Sequence, residues 1–361
     1  MARSGDVARR AAAVQAAMNY MRTRDSFGDI ADQPCELAWQ IGDRDASARV
    51  TIVIPTYKRI DTLVEAINSA VAQQVAPRPD IIIVDNDGPG EKPDIVRAAL
   101  ADTRGCRVRY FVNSTNIGMF GNWNRSIMLA ETPWMTILND DDLLREEFLR
   151  RCCAALDRRP DANGIVCRKG VRDRRVAVPN APPSPWRRLA GAIAGHLHKL
   201  PYRDGMLNVT VKRQFFGNFL GNGLGFLFRR DTAIRLGGYD PDDFPSADFL
   251  FYLRMASEGG LYLLDEVLAD VGLGDNESIA PGILQRFVVQ LHEVRDQLAG
   301  SMVPRRWVKM SPLLASNQVL ATELAWGEKL DQDALAKELG FPLPPASPRR
   351  EKLLRLRHGI L

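Results

Sequence analysis

Val50-Thr51-Ile52-Val53-Ile54, followed by Pro55-Thr56-Tyr57, is the stretch on which the fold turns. Its first five residues are all β-branched and leave no alternating polar face. Such a run is a strand buried on both sides, of the kind found inside parallel sheets, and the proline stops it. Working outward, Asp61 to Gln74 has helical periodicity, and Ile81-Ile82-Ile83-Val84 is a second apolar strand ending in the turn Asp85-Asn86-Asp87-Gly88-Pro89-Gly90. Pro93 to Ala101 reads as helix, Val108 to Val112 as strand and Asn122 to Ala130 as helix. Trp134 to Leu138 is a fourth strand, running into Asn139-Asp140-Asp141-Asp142. Strand alternating with helix predicts an α/β fold: a doubly wound, mostly parallel sheet flanked by helices, which binds ligands beyond the carboxyl ends of its strands. The polar turns lie at those ends.

Beyond the acidic cluster the pattern weakens. Residues 168–208 are rich in arginine and proline, notably Pro179 to Pro185, and read as a variable excursion beside an acceptor site. Regularity returns with a strand at Leu224 to Phe228, a helix at Asp231 to Leu236, the turn Gly237-Gly238-Tyr239-Asp240-Pro241, a helix from about Asp248 to Ser257 and a strand-like run from Leu261 to Leu268. Helical segments follow at Ile283 to Leu298 and Ala315 to Leu330, and an amphipathic helix over Val7 to Arg22 precedes everything. The expected organisation is an N-terminal helical extension (1–48), a main domain (49–280) with a nucleotide-binding half (49–145) and an acceptor half (146–280), and a C-terminal helical region (281–361).

With 45% apolar and 25% charged residues the chain has the usage of a folded globular protein. The 48 basic and 44 acidic residues nearly balance, which argues against nucleic-acid binding. Five cysteines, Cys35, Cys106, Cys152, Cys153 and Cys167, fit neither a disulfide framework nor zinc spacing and read as reduced core thiols. Apolar runs stay short of the ~18–20 residues of a membrane span, so the expected location is cytoplasmic, with the basic tail Lys352 to Arg357 a candidate for peripheral contact at the inner face of a membrane. His196, His198, His292 and His358 form no metal-spaced set with the cysteines.

Adjacent carboxylates at Asp140, Asp141 and Asp142 repel one another unless solvent or a cation relieves them. Mg²⁺ is commonly held by one or two carboxylates plus substrate phosphates, so a diphosphate-bridging metal fits; the plain alternative is an acidic turn with Asp142 as the N-cap of the next helix and Glu146 and Glu147 in its first turn. Asp85, Asn113 to Asn116 and Asn139 to Asp142 end three successive strands, and such converging groups suit a nucleotide.

In order and spacing, Val53-Ile54-Pro55-Thr56-Tyr57-Lys58-Arg59, Ile83-Val84-Asp85-Asn86, Asn116-Ile117-Gly118, Leu138-Asn139-Asp140-Asp141-Asp142 and Gly237-Gly238-Tyr239-Asp240 resemble the inverting glycosyltransferases of family 2, which have the GT-A fold. The resemblance covers Val50 to Asp142 and Gly221 to Ser278. It implies that Pro55, Thr56, Tyr57 and Arg59 line the donor nucleotide pocket, that Asp85 contacts the base, and that Asn116 and Gly118 border the same site. In the family's DXD motif Asp141 would hold Mg²⁺ or Mn²⁺, with Asp140 and Asn139 beside the ribose. Asn139 stands where the family often has aspartate. Asp248 falls where the family carries its catalytic base, although Ala247 replaces the usual acidic neighbour; an N-cap is its structural alternative. Asp242 and Asp243 are acceptor-contact candidates. Asp270 to Gly274 lacks the basic contact that many relatives offer the diphosphate, and the Gln/Arg-x-x-Arg-Trp motif of processive synthases is missing.

The implied enzyme is a metal-dependent, inverting hexosyltransferase. It would move a single sugar from a nucleoside-diphosphate sugar, UDP- or dTDP-linked, to a hydroxyl on a glycan, lipid-linked or small-molecule acceptor in surface glycan or glycosylated metabolite biosynthesis. Two other classes are weighed. A nucleotidyltransferase making the sugar nucleotide predicts a glycine-rich loop that Pro55-Thr56-Tyr57-Lys58 lacks. A non-catalytic nucleotide-sugar-binding protein is motivated by Asn139, Ala247 and Val271.

Overall fold

The computed structural model describes residues 19–100, 102–173, 202–273 and 281–360. The helix expected over Val7 to Arg22 lies outside the described residues except for a turn at 19–22, as do Pro179 to Pro185, His196, His198 and Asp275 to Ser278.

Ten strands form one sheet among the described residues: β1 (Cys35–Ile41), β2 (Val50–Thr56), β3 (Asp80–Asp85), β4 (Val108–Asn113), β5 (Trp134–Ile137), β6 (Leu143–Leu144), β7 (Gly164–Asp173), β8 (Met206–Asn208), β9 (Phe226–Arg229) and β10 (Leu261–Leu273). Their order is β1-β4-β3-β2-β5-β9-β7-β10-β6, with β8 also on β10. The expected parallel unit is present, since β2 pairs in parallel with both β3 and β5, and β3 with β4. Beyond it the sheet is mixed: β9 runs antiparallel to β5 and β7, whereas β7 and β10 are parallel.

All seven residues of β2 are buried. Ile52 and Ile54 enter one core cluster and Val53 the other, the two-residue alternation of a strand covered on both faces. The helices between these strands are α1 (Asp61–Val71), α2 (Lys92–Ala99) and α3 (Gly118–Leu129). On α1, Leu63, Ala66, Ile67, Ala70 and Val71 form the apolar stripe that covers the sheet. The helix stops three residues before Gln74 because the buried Gln73 amide turns back to the Ser69 carbonyl (3.0 Å) and across to that of Arg145 (2.9 Å).

Two expectations need correction. Asp142 caps no helix: α4 (Phe148–Arg158) starts six residues later, with Glu147 at its N-cap. The stretch from residue 168 is not a loose excursion at its start, since β7 continues through Asp173 in register with β10. Strand β1 is absent from the sequence reading. Only Trp39 of its seven residues is buried, as suits an edge strand lying antiparallel on β4.

After α5 (Val211–Gln214) and α6 (Arg230–Arg235) comes α7 (Ala247–Glu258), which is buried on two sides. Phe251, Tyr252 and Met255 face the sheet, whereas Phe249, Leu250 and Leu253 join a cluster with Leu291, Val294 and Leu298 of α8 (Pro281–Leu298). Then come α9 (Ser311–Trp326), α10 (Gln332–Leu339) and α11 (Pro348–Arg357). The first turn of α7, which carries Asp248, is therefore wedged between the sheet and the C-terminal helices. All five cysteines are free thiols. Among the described residues no helix is long and apolar enough to cross a membrane.

Candidate active site

The carboxyl ends of β2, β3 and β5 bring the donor-side residues together. Asp140, just beyond β5, accepts from the Thr56 hydroxyl (2.7 Å), the Tyr57 amide (3.3 Å) and the Arg59 guanidinium (2.9 Å). The same guanidinium nitrogen lies 2.7 Å from Asp141. Arg59 thus bridges both carboxylates. Burial pushes Asp140 above the usual carboxylate range, and the Thr56 and Arg59 contacts offset part of that rise.

Asp85 is fully buried. One of its oxygens accepts from Lys92 Nζ (3.1 Å) and the Asp87 amide (3.1 Å), the other from the Tyr110 hydroxyl (2.6 Å). Lys92 also donates to Asp87 (2.7 Å) and to Thr56 (3.2 Å), which joins the tip of β3 to the acidic cluster. With three donors already on it and no solvent-facing surface, Asp85 supports Lys92, whose ammonium and the carboxylate of Asp87 are the charged groups nearer solvent. Asn116 and Gly118 are exposed at the start of α3, tied to β3 through the Asn86 side chain, which donates to Asn116 Oδ1 (2.7 Å) and to the Gly118 carbonyl (3.2 Å).

Asn139 donates to Asp142 (3.0 Å), whose other oxygen accepts from the Gly272 amide (2.9 Å). Asp142 is therefore a buried link between the acidic cluster and β10, its carboxyl pushed up to about 7 by burial and by the charge of Asp141. Of the three aspartates, Asp141 is the most exposed, and its ion-pair partner Arg59 has 41% of its side chain open to solvent. No cluster of three or more metal-ligating side chains is found among the described residues. One accessible carboxylate fits a hard divalent ion whose remaining ligands are diphosphate oxygens and water, the way Mg²⁺ is usually held.

On the acceptor side, Asp248 in the first turn of α7 accepts from the Gly223 amide. Glycine at 223 is required by space: a Cβ there would sit 2.7 Å from Asp248 Oδ1. Burial raises the Asp248 carboxyl to about 6, opposed by the charge of Lys169 and by the Gly223 amide. Asp248 does not act as a helix cap, because the N-cap is Ser246.

The two sides meet at Lys169 on β7. Its ammonium is in the field of both Asp142 and Asp248, while burial lowers its pKa to about 8. It donates to the carbonyls of Leu220 (2.7 Å) and Asn222. Neither Lys92 nor Lys169 is among the residues singled out from sequence. A lysine two positions beyond the apolar run Gly164 to Cys167 is the one signal that could have found the second.

Asp243 leaves the acceptor-contact set. It is buried, both oxygens are paired with the Arg254 guanidinium, and the pair ties the turn before α7 to the helix itself. Asp242 is exposed. His292 packs edge-on against Phe341, and His358 lies against Trp307, so both described histidines have packing roles.

Residues 51–212 match the model of glycosyl transferase family 2. The succinoglycan biosynthesis protein ExoO of Rhizobium meliloti is 26% identical over 283 residues, covering 71% of this chain and 72% of that protein. Among solved structures, the mannosyltransferase PcManGT from Pyrobaculum calidifontis, in complex with GDP-Man and Mn2+, aligns with a TM-score of 0.53 at 16% identity over 92% of this chain and 85% of its own. TarS of S. aureus in complex with UDP-GlcNAc gives 0.52 at 13% identity, over 77% and 73%. The structural likenesses speak to the fold, which is GT-A. The family 2 glycosyltransferase match thus falls on the stretch that carries the motifs in order at the strand tips, and over residues 51–212 the chain is similar to that family.

Proposed function

We propose that the chain is an inverting transferase that moves one sugar from a nucleoside-diphosphate donor, UDP- or dTDP-linked, to a hydroxyl of a surface-glycan acceptor. The observation that carries this reading is the short path between the two sides: Asp142 accepts from Gly272 of β10, the neighbouring strand β7 carries Lys169, and Lys169 holds the carbonyls of Leu220 and Asn222 next to Gly223, which packs against Asp248. The similarity to a succinoglycan biosynthesis protein supports the acceptor class.

In this reading Pro55, Thr56, Tyr57, Arg59, Asn116 and Gly118 border the nucleotide, with Asn139 and Asp140 toward the ribose. Asp141 is the residue that would hold Mg²⁺ or Mn²⁺, which supplies charge neutralisation to the departing diphosphate. Arg59, released from Asp141, is placed to meet the same phosphates. Asp248 takes the proton of the acceptor hydroxyl as that oxygen bonds to the anomeric carbon and the bond to the diphosphate breaks on the opposite face. A carboxyl raised to about 6 is ionised at neutral pH and more basic than an ordinary aspartate, as a general base requires. α11, with Leu353 and Leu356 exposed among Arg349, Arg350, Lys352 and Arg357, suits peripheral contact with an anionic inner membrane face.

The test is a thermal-shift screen of nucleoside diphosphates with and without Mn²⁺, followed by transfer assays on the donors that bind. The reading expects a metal-dependent shift with UDP or dTDP that is lost in Asp141→Ala. Full transfer in excess chelator rejects the metal role.

A further inference from the structure

We propose that Lys169 is the positioning residue for Asp248: by holding the carbonyls of Leu220 and Asn222 it sets the loop from which Gly223 donates to that carboxylate, and its charge faces the same carboxylate. The inference rests on the reading of Asp248 as the base and adds to it a residue that no motif marks.

The geometry is a chain of short links. Lys169 extends from β7, a strand fixed on both edges by β9 and β10. Its ammonium donates to Leu220 O (2.7 Å) and to Asn222 O, straddling Gly221, where a Cβ would lie 3.6 Å from Nζ. The Asn222 carbonyl also accepts from the Tyr252 hydroxyl (2.7 Å), so the peptide preceding Gly223 is gripped by one residue of the sheet and one of α7. Gly223 in turn approaches Asp248 so closely that no side chain fits between them. Sheet, loop and helix are thereby locked around one carboxylate.

The charges around Asp248 are few. Lys169 faces it from β7, Tyr239 from the turn that precedes α7, and Tyr252 from its own helix; Cys167 and Asp142 face Lys169. Both tyrosines are held protonated by burial, so Lys169 is the cation of this group. A lysine spending two of its protons on main-chain carbonyls has little freedom to leave, unlike Arg59. That distinguishes a fixed positioning group from one available to follow the donor.

The experiment compares the full chain with Lys169→Met, Lys169→Arg, Asp248→Asn and the Lys169→Met/Asp248→Asn double variant. Transfer is measured from pH 5 to 9 with whichever of UDP-glucose, UDP-GlcNAc, dTDP-glucose or GDP-mannose turns over, and UDP–Mn²⁺ binding by calorimetry. Lys169→Met is expected to lower kcat by about 100-fold, the scale of a misplaced general base, with UDP–Mn²⁺ affinity within about twofold of the parent. The acid limb of its residual rate moves up by about one pH unit, because a nearby cation has been taken from the carboxylate. Lys169→Arg, which restores charge and donors, recovers most of the rate. In thermal unfolding the double variant regains stability lost by Lys169→Met, since it no longer buries an unopposed charge. If Lys169→Met keeps kcat and its acid limb while Asp248→Asn is inactive, or if the loss falls on UDP–Mn²⁺ binding, the inference is wrong and the base assignment stands. Transfer surviving in Asp248→Asn overturns the base assignment and the inference together. Should Lys169→Met not fold, Lys169→Gln, which keeps a donor and removes the charge, takes its place, and an additive unfolding cycle with Asp248→Asn together with an unchanged acid limb counts against the inference.

Discussion

On the donor side, Asp140 meets Thr56, the Tyr57 amide and Arg59, and Asp85 meets Lys92, Tyr110 and the Asp87 amide. On the acceptor side, Asp248 meets one backbone amide and the field of a lysine committed to two carbonyls. The donor-side carboxylates are thus ion-paired before any ligand arrives, with Arg59 shared by Asp140 and Asp141 and Lys92 by Asp85 and Asp87, and binding a metal and a diphosphate there would exchange one set of ion pairs for another. The acceptor carboxylate is left short of partners and keeps its affinity for a proton. On the proposed reading, one side of the site holds charge and the other takes up a proton during reaction.

The widest separation between the two regions is kinetic. Asp248→Asn keeps the shape of the site and removes the proton acceptor, so transfer should fall by about 10²–10⁴-fold with nucleotide affinity unchanged. Rate and calorimetry on the same preparation check it, and a parallel loss of UDP binding breaks the division of labour. Asp141→Ala reverses the pattern: Mn²⁺-dependent binding of UDP should weaken together with the rate, by about 100-fold in kcat/KM, the scale of losing one electrostatic contact to a leaving group. Undiminished metal-dependent binding would place the cation elsewhere.

The same contrast explains what the sequence revealed. The donor side sits on strands that are buried on both faces and end in polar turns, so Val50 to Ile54, Ile81 to Val84 and the Asn139 to Asp142 cluster announce themselves locally. What those residues hold is not local. Asp85 lies in a motif position, but its burial behind Lys92 depends on Tyr110 from the next strand, and nothing in residues 81–90 signals it. Asp243 looked as available as Asp242 until Arg254, one helix away, claimed both its oxygens. Lys169 lies in a stretch whose arginines and prolines mask the strand that carries it, and its partners come from residues 220–222, some fifty positions later. Edge strand β1 was missed because, with only Trp39 buried, it shows no alternation to read.

Stability should also tell the two regions apart, through its dependence on pH. Asp248 titrates at about 6 in the folded chain against 3.8 for an ordinary aspartate, so between those values the folded state holds a proton that the unfolded state has lost. Stability from this group therefore falls as pH rises through that window and stays reduced above it. Asp248→Asn lacks the penalty and should be more stable than the parent by about 1–3 kcal/mol above pH 6, the difference vanishing below about pH 4. Urea unfolding at pH 4, 5, 6 and 8 measures it. A constant difference across that series would mean that the carboxylate is better satisfied than its surroundings suggest.

The smallest effect is expected from Arg59→Met, and it tests whether the donor side is held together by charge. Asp140 keeps the Thr56 hydroxyl and the Tyr57 amide when the guanidinium goes, so it is not left without partners. Arg59 is partly open to solvent, which screens the pair and further limits the loss. A destabilisation of about 1 kcal/mol is expected without nucleotide, the scale of a hydrogen bond to a charged group after screening. Added Mn²⁺ should narrow that gap, because Asp140 and Asp141 without their arginine form a more acidic site that a divalent ion relieves. If Mn²⁺ stabilises the parent and Arg59→Met equally, the guanidinium and the metal do not compete for Asp141, and the donor-side ion pairs are fixed structure instead of an exchangeable set.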